Sequence, residues 1–98
     1  MKKEELREKV LDYLLTIPAG KVTTYKAIGE VFEVHPRRVG QVIKTNMIPE
    51  HYPCYKVMER EDKIGFYNGL GGIPGKVQRM KDDGVEVIKW KIEAKFFV

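Results

Sequence analysis

At 98 residues the chain is expected to form one domain spanning 1–98, with a modest core. Its 43% hydrophobic content is spread along the whole length, which argues against disorder, and no apolar run is long enough for a membrane span. A net charge of +4 hints at an acidic partner, and a single cysteine, unable to form an internal disulfide, fits a reducing, cytoplasmic setting.

In chain order, the spacing of Leu6, Val10, Leu11, Leu14 and Ile17 predicts an amphipathic helix over 4–17, ended by Pro18-Ala19-Gly20. Thr23 or Thr24 can cap a second, short helix from Tyr25 to about Phe32, with Ala27, Ile28 and Val31 inward. Pro36 suits the first turn of a third helix that runs to about Lys44 and buries Val39, Val42 and Ile43, with Asn46 as its terminator. Two short helices joined by a tight turn, the second one basic, form a helix-turn-helix pattern, although an ordinary helix pair has the same signature. Between Val34 and Met58 the basic residues Arg37, Arg38, Lys44 and Lys56 face one acid, Glu50. That surplus suits phosphates, and it equally suits a solvated face.

Residues 47–53 read as a loop broken by Pro49 and Pro53. A short strand is expected over Cys54–Met58, with Cys54, Lys56 and Met58 on one side and Tyr55 and Val57 on the other. The glycine-rich stretch 65–75 reads as a structured loop of the kind that carries function. Ile73, Val77 and Met80 mark a last helix stopped by Gly84. Alternation from Ile88 to Val98 predicts one or two strands, with Trp90 in the core. The architecture expected is mainly α with a small strand element, a winged-helix-like DNA-binding domain. His35 and His51 stand alone and no Cys/His cluster has metal-ligand spacing, so no metal site is expected.

Pro53-Cys54-Tyr55-Lys56-Val57 resembles the Pro-Cys-His-Arg-Val signature of the O6-alkylguanine-DNA alkyltransferases. Five further segments resemble that family in the same order. They are Ile17 to Tyr25, Arg37-Arg38-Val39-Gly40, Asn46, Gly65 to Gly69 and Lys76 to Gly84. The resemblance spans about residues 6–87 and implies the catalytic C-terminal domain alone.

The resemblance also implies a chemistry. A Cys54 thiolate would displace guanine from the alkyl carbon on O6, once per protein molecule, with no cofactor. The DNA partner would be double-stranded and carry O6-alkylguanine, bound by a monomer. Arg37 matches the arginine that fills the gap left by a flipped nucleotide, and Gly40 would allow close approach to the groove. Arg38 and Lys44 would meet phosphates. Tyr25 matches the tyrosine on the phosphate of the flipped nucleotide. Pro53, Val57, Tyr67, Asn68 and Gly69 match the base pocket, and Asn46 matches the residue that ties the recognition helix to the cysteine loop.

Three departures bear on the chemistry. Tyr55 stands where the family has the relay histidine, Lys56 where it has arginine, and Asp83 where it has glutamate. A phenol ionises near 10 and is a poor base at neutral pH. Either Lys56 or the N-terminus of the helix near Lys76 could favour the thiolate, but the Lys56 charge is expected to stay in water. Asp83 would then bond Tyr55 or serve structure. Retained Cys54 favours a suicide repair enzyme, and the lost histidine favours a non-catalytic protein that binds the lesion and flags it. A sequence-reading DNA binder has less need of the Tyr67 loop.

Overall fold

The computed structural model describes residues 2–46, 51–60, 63–65, 67 and 71–98. Helix α1 spans Lys3–Leu14 and buries Leu6, Val10, Leu11 and Leu14. It stops three residues before the expected end because Ile17 precedes Pro18, which disfavours helical backbone there. Ile17 is buried nonetheless. Helix α2, Tyr25–Phe32, is capped by the Thr24 side chain, which accepts from the Ala27 N–H at 3.0 Å. Of the two candidate threonines it is Thr24 that caps, although both belong to the sheet. Val31, expected inward, is 52% exposed, because the buried face of so short a helix runs through Tyr25, Ile28 and Gly29.

Glu33, in the left-handed conformation, turns the chain from α2 into α3, Pro36–Lys44. His35 Nδ1 accepts from the Arg37 N–H and caps α3. The turn packs so closely that a Cβ on Gly29 would lie 2.6 Å from the Val34 carbonyl oxygen. Helix α3 buries Val39, Val42 and Ile43 and leaves Arg37 and Lys44 exposed. Helices α1, α2 and α3 share one apolar cluster with Cys54 and Val57.

The expected strand at 54–58 is only half a strand. Cys54–Lys56 is a 3₁₀ turn, and Val57–Met58 (β2) pairs in parallel with Thr23–Thr24 (β1), Thr23 opposite Val57. The turn changes which side chains share a face. Cys54 and Val57 enter the first cluster, while Tyr55 and Met58 enter a second with Val22, Ile64, Met80, Val85 and Ile92. Helix α4 spans Gly72–Asp82 and covers the turn. Its Met80 is buried, but Ile73 is 44% exposed.

No regular strand forms after Gly84 among the described residues. Lys89 and Trp90 both have positive φ and reverse the chain, so the alternation starts again on the other side of a turn. Ala94–Phe96 is a 3₁₀ turn, and Phe97 bridges to Val22 beside β1. Ile92 is buried, while Ile88 and Trp90, expected inward, are more than half exposed. The chain is mainly helical with a small two-stranded sheet. No helix among the described residues is long and apolar enough to cross a membrane.

Candidate active site and DNA-binding cleft

Cys54 sits in the 3₁₀ turn where the two clusters meet and is 3% exposed. It is tied directly to the end of α3. The Asn46 amide donates to the Tyr52 carbonyl at 3.0 Å, and the same carbonyl accepts the Cys54 N–H at 2.7 Å. The end of α3 and the backbone carrying the thiol therefore share one carbonyl as their anchor. Arg7 holds the same helix end by donating to the Thr45 hydroxyl at 2.9 Å.

An open cleft of about 560 Å³ runs along α3, lined by Tyr25, Arg37, Gly40, Gln41, Lys44 and Glu59 among others. A Cβ on Gly40 would meet nothing within 4 Å, so this glycine answers no internal packing need. Arg38 is half-buried. Tyr25 lies deep in the cleft wall, and burial raises its phenol well above the ordinary tyrosine value, helped by the negative charges of Glu59 and Cys54. It remains a protonated donor at any physiological pH.

The structure separates the residues expected to activate the thiol. Lys56 is not in water. It is 4% exposed, and its ammonium forms an ion pair with Asp83 at 2.8 Å and donates to the Pro18 carbonyl at 2.9 Å. Asp83 also accepts the Gly20 N–H at 3.0 Å, so its carboxylate is held between two donors. Lys56 lies in the 3₁₀ turn with its side chain buried. Tyr55 points into the second cluster with the Arg79 guanidinium 5.1 Å from its ring centre. Burial raises its pKa, Asp83 and Tyr67 add to the rise, and Arg79 opposes it. The phenol therefore holds its proton more firmly than a free one, and even less phenolate is available at neutral pH to accept a proton.

Val57, matched to the base pocket, has its side chain fully buried in the first cluster, and its carbonyl accepts from the Lys76 ammonium. Pro53 is half-buried, and half-buried Tyr67 packs against both clusters. Asn68 and Gly69 lie outside the described residues. Among the described residues no cluster of three His, Cys, Asp or Glu has a metal-binding arrangement.

Two groups stand out, Glu59, which lies outside the matched segments, and Lys76, which opens one of them but carries no role from it. Glu59 lines the cleft. Lys76 is fully buried, and its ammonium donates to the Ile64 carbonyl at 2.6 Å and to the Val57 carbonyl. Burial lowers its pKa to about 8, while Cys54 and Glu59 pull it back up. A signal existed in the sequence, since Lys76 falls four residues before Met80 on the apolar side of α4.

A 44%-identical match over 62 residues, 63% of this chain and 42% of the relative, is a methylated-DNA–protein-cysteine methyltransferase of Pyrobaculum aerophilum. Alkyltransferase-like protein 1 of Schizosaccharomyces pombe is 32% identical over 90 residues, covering 89% of this chain and 82% of that protein. The crystal structure of the same fission-yeast protein, in complex with damaged DNA containing O6-carboxymethylguanine, superposes with a TM-score of 0.78 at 30% identity, over 90% of this chain and 83% of that one. The O6-methylguanine-DNA methyltransferase of Pyrococcus kodakaraensis superposes with a TM-score of 0.70 at 31% identity, over 81% of this chain and 46% of that one. The chain spans about half or less of the first curated methyltransferases it matches. The family model described as 6-O-methylguanine DNA methyltransferase, DNA binding domain, matches residues 5–85, and the chain belongs to that family.

Proposed function

We propose that this chain repairs DNA by moving the alkyl group of O6-alkylguanine onto Cys54 in a single turnover. The observation that carries the reading is the place of Cys54. It lies in a turn tied through Asn46 to the end of the basic helix, where the two apolar clusters meet. In the reaction the Cys54 sulfur forms a bond to the alkyl carbon, the carbon–O6 bond breaks, and guanine leaves with the electron pair. The base has to leave the stack to reach a buried thiol. Arg37 fills the gap, Gly40 admits the groove wall, Arg38 and Lys44 hold phosphates, and Tyr25 donates to the flipped nucleotide. The bound form is a monomer on duplex DNA, with residues 1–98 acting as one unit.

A second reading, lesion binding without transfer, is favoured by the match to alkyltransferase-like protein 1, which extends over most of both chains. Intact mass separates the two. After incubation with an oligonucleotide containing O6-methylguanine, the wild type gains one methyl group on Cys54, and Cys54→Ala binds the same DNA without gaining mass. Lesion binding with no mass change in the wild type would establish the second reading instead.

A further inference from the structure

The stretch after Gly84 divides its side chains between two depressions. Glu86, Ile88 and Lys91 line a large cavity beside β1 that also holds Glu59 and Glu93. Val87, Lys89 and Trp90 instead line a smaller notch against α4, of about 310 Å³. The carboxylates of the stretch thus collect in the first, and the notch has none among its lining residues. Val77 and Val87 form its floor, half-buried against the second cluster, and Pro74 and Trp90 are exposed beside them. Lys81 and Lys89 stand exposed at its edge, and neither side chain has a partner among the described residues. Asp82 accepts from the Gln78 amide at 2.9 Å and lies outside the lining.

Trp90 is the part of this arrangement that folding does not explain. It is 55% exposed, belongs to neither cluster, and has φ 67, which a bulky side chain adopts only at a cost. The reciprocal Ile88–Lys91 backbone hydrogen bonds hold the turn in that form. An indole held rigidly in water suits a binding surface, because little freedom is lost when a partner covers it. We propose that the notch docks an acidic segment of a partner protein, anchored by one apolar side chain. That side chain fills the space between Trp90 and the two valines, and carboxylates on either side of it meet Lys81 and Lys89. A nucleobase would press its polar edges against Pro74, Val77 and Val87, whose side chains offer no hydrogen bond. The notch shares no lining residue with the α3 cleft, so DNA and the segment can be bound at once.

Trp90 is the one tryptophan of the chain, so its emission reads the notch directly. The probes are synthetic peptides with a single phenylalanine, leucine or isoleucine between runs of aspartate and glutamate, and the same peptides with asparagine and glutamine in place of the acids. The acidic set should shift the emission to the blue and saturate. Lys81→Gln combined with Lys89→Gln should weaken that binding about tenfold. Both lysines are exposed, so the double variant keeps its fold. Binding to lesion duplex should be the same in the double variant and in wild type saturated with peptide. The inference is overturned if no acidic peptide moves the emission, or if the asparagine and glutamine set binds as tightly. It is also overturned if single-stranded oligothymidylate binds the notch more tightly than the peptides do, or if the double variant loses lesion-duplex binding in step, since the notch would then belong to DNA.

Discussion

Two helical glycines carry opposite expectations, decided by what surrounds each. Gly29 has the Val34 carbonyl where a side chain would begin, and that obstacle is backbone that cannot swing aside. Gly29→Ala should therefore destabilise by about 1–3 kcal/mol despite the better helix propensity of alanine. Gly40 has open space on the cleft side. Gly40→Ala should raise stability by about 0.5–1 kcal/mol and weaken binding to lesion duplex, which thermal melts and a DNA titration would measure together. Unchanged affinity would mean that nothing approaches α3 there. At Tyr55, replacement by histidine would seem to restore the family relay, but Asp83 is already held by Lys56 and Gly20. An imidazole at 55 would also meet the Arg79 guanidinium. Tyr55→His should thus change the neutral single-turnover rate by far less than the roughly 10²-fold of a well-placed general base. A gain of that size would show that Asp83 can let go of Lys56.

Among the elements, those read correctly from sequence owe their form to local rules. The α1 stripe, the Thr24 cap, Pro36 at the start of α3 and the Gly72–Asp82 helix each follow from residues a few positions apart. Lys56 and Lys76 escape a local reading because their burial depends on partners 12 to 39 residues away, and Trp90 escapes it because a turn resets the alternation and leaves it exposed. Lys56 lies in the Cys54–Lys56 turn and pairs with Asp83, and the Lys89–Trp90 turn broke a strand pattern that looked continuous. That second turn sets two non-glycine residues at φ 51 and 67, between Ile88 and Lys91, which exchange backbone hydrogen bonds of 3.0 Å. A two-residue turn of this kind suits Asn-Gly. Lys89→Asn with Trp90→Gly should release about 1–2 kcal/mol of strain and raise the melting temperature. If the double variant melts lower, Trp90 has a packing role that its exposure conceals.

For the molecule as a whole, charge and chain connectivity have separate consequences. Arg37, Arg38 and Lys44 lie on one helix along the cleft, so DNA affinity should fall with salt at a log–log slope of about −3, near −0.9 for each phosphate contact. A flat dependence would make α3 a solvated face. Connectivity acts through Asp83, which joins Lys56 and the Gly20 backbone across 63 residues of chain. Contacts this far apart form late, since closing the intervening loop costs entropy before the contact repays it. On the ribosome the cysteine turn therefore stays unfinished until residue 83 has emerged, with Lys56 lacking the carboxylate that offsets its burial. A nascent or truncated chain can hold α1 to α3 and already carry the basic face, yet its thiol has no fixed address. Competence to grip DNA should thus precede competence to react with it during synthesis.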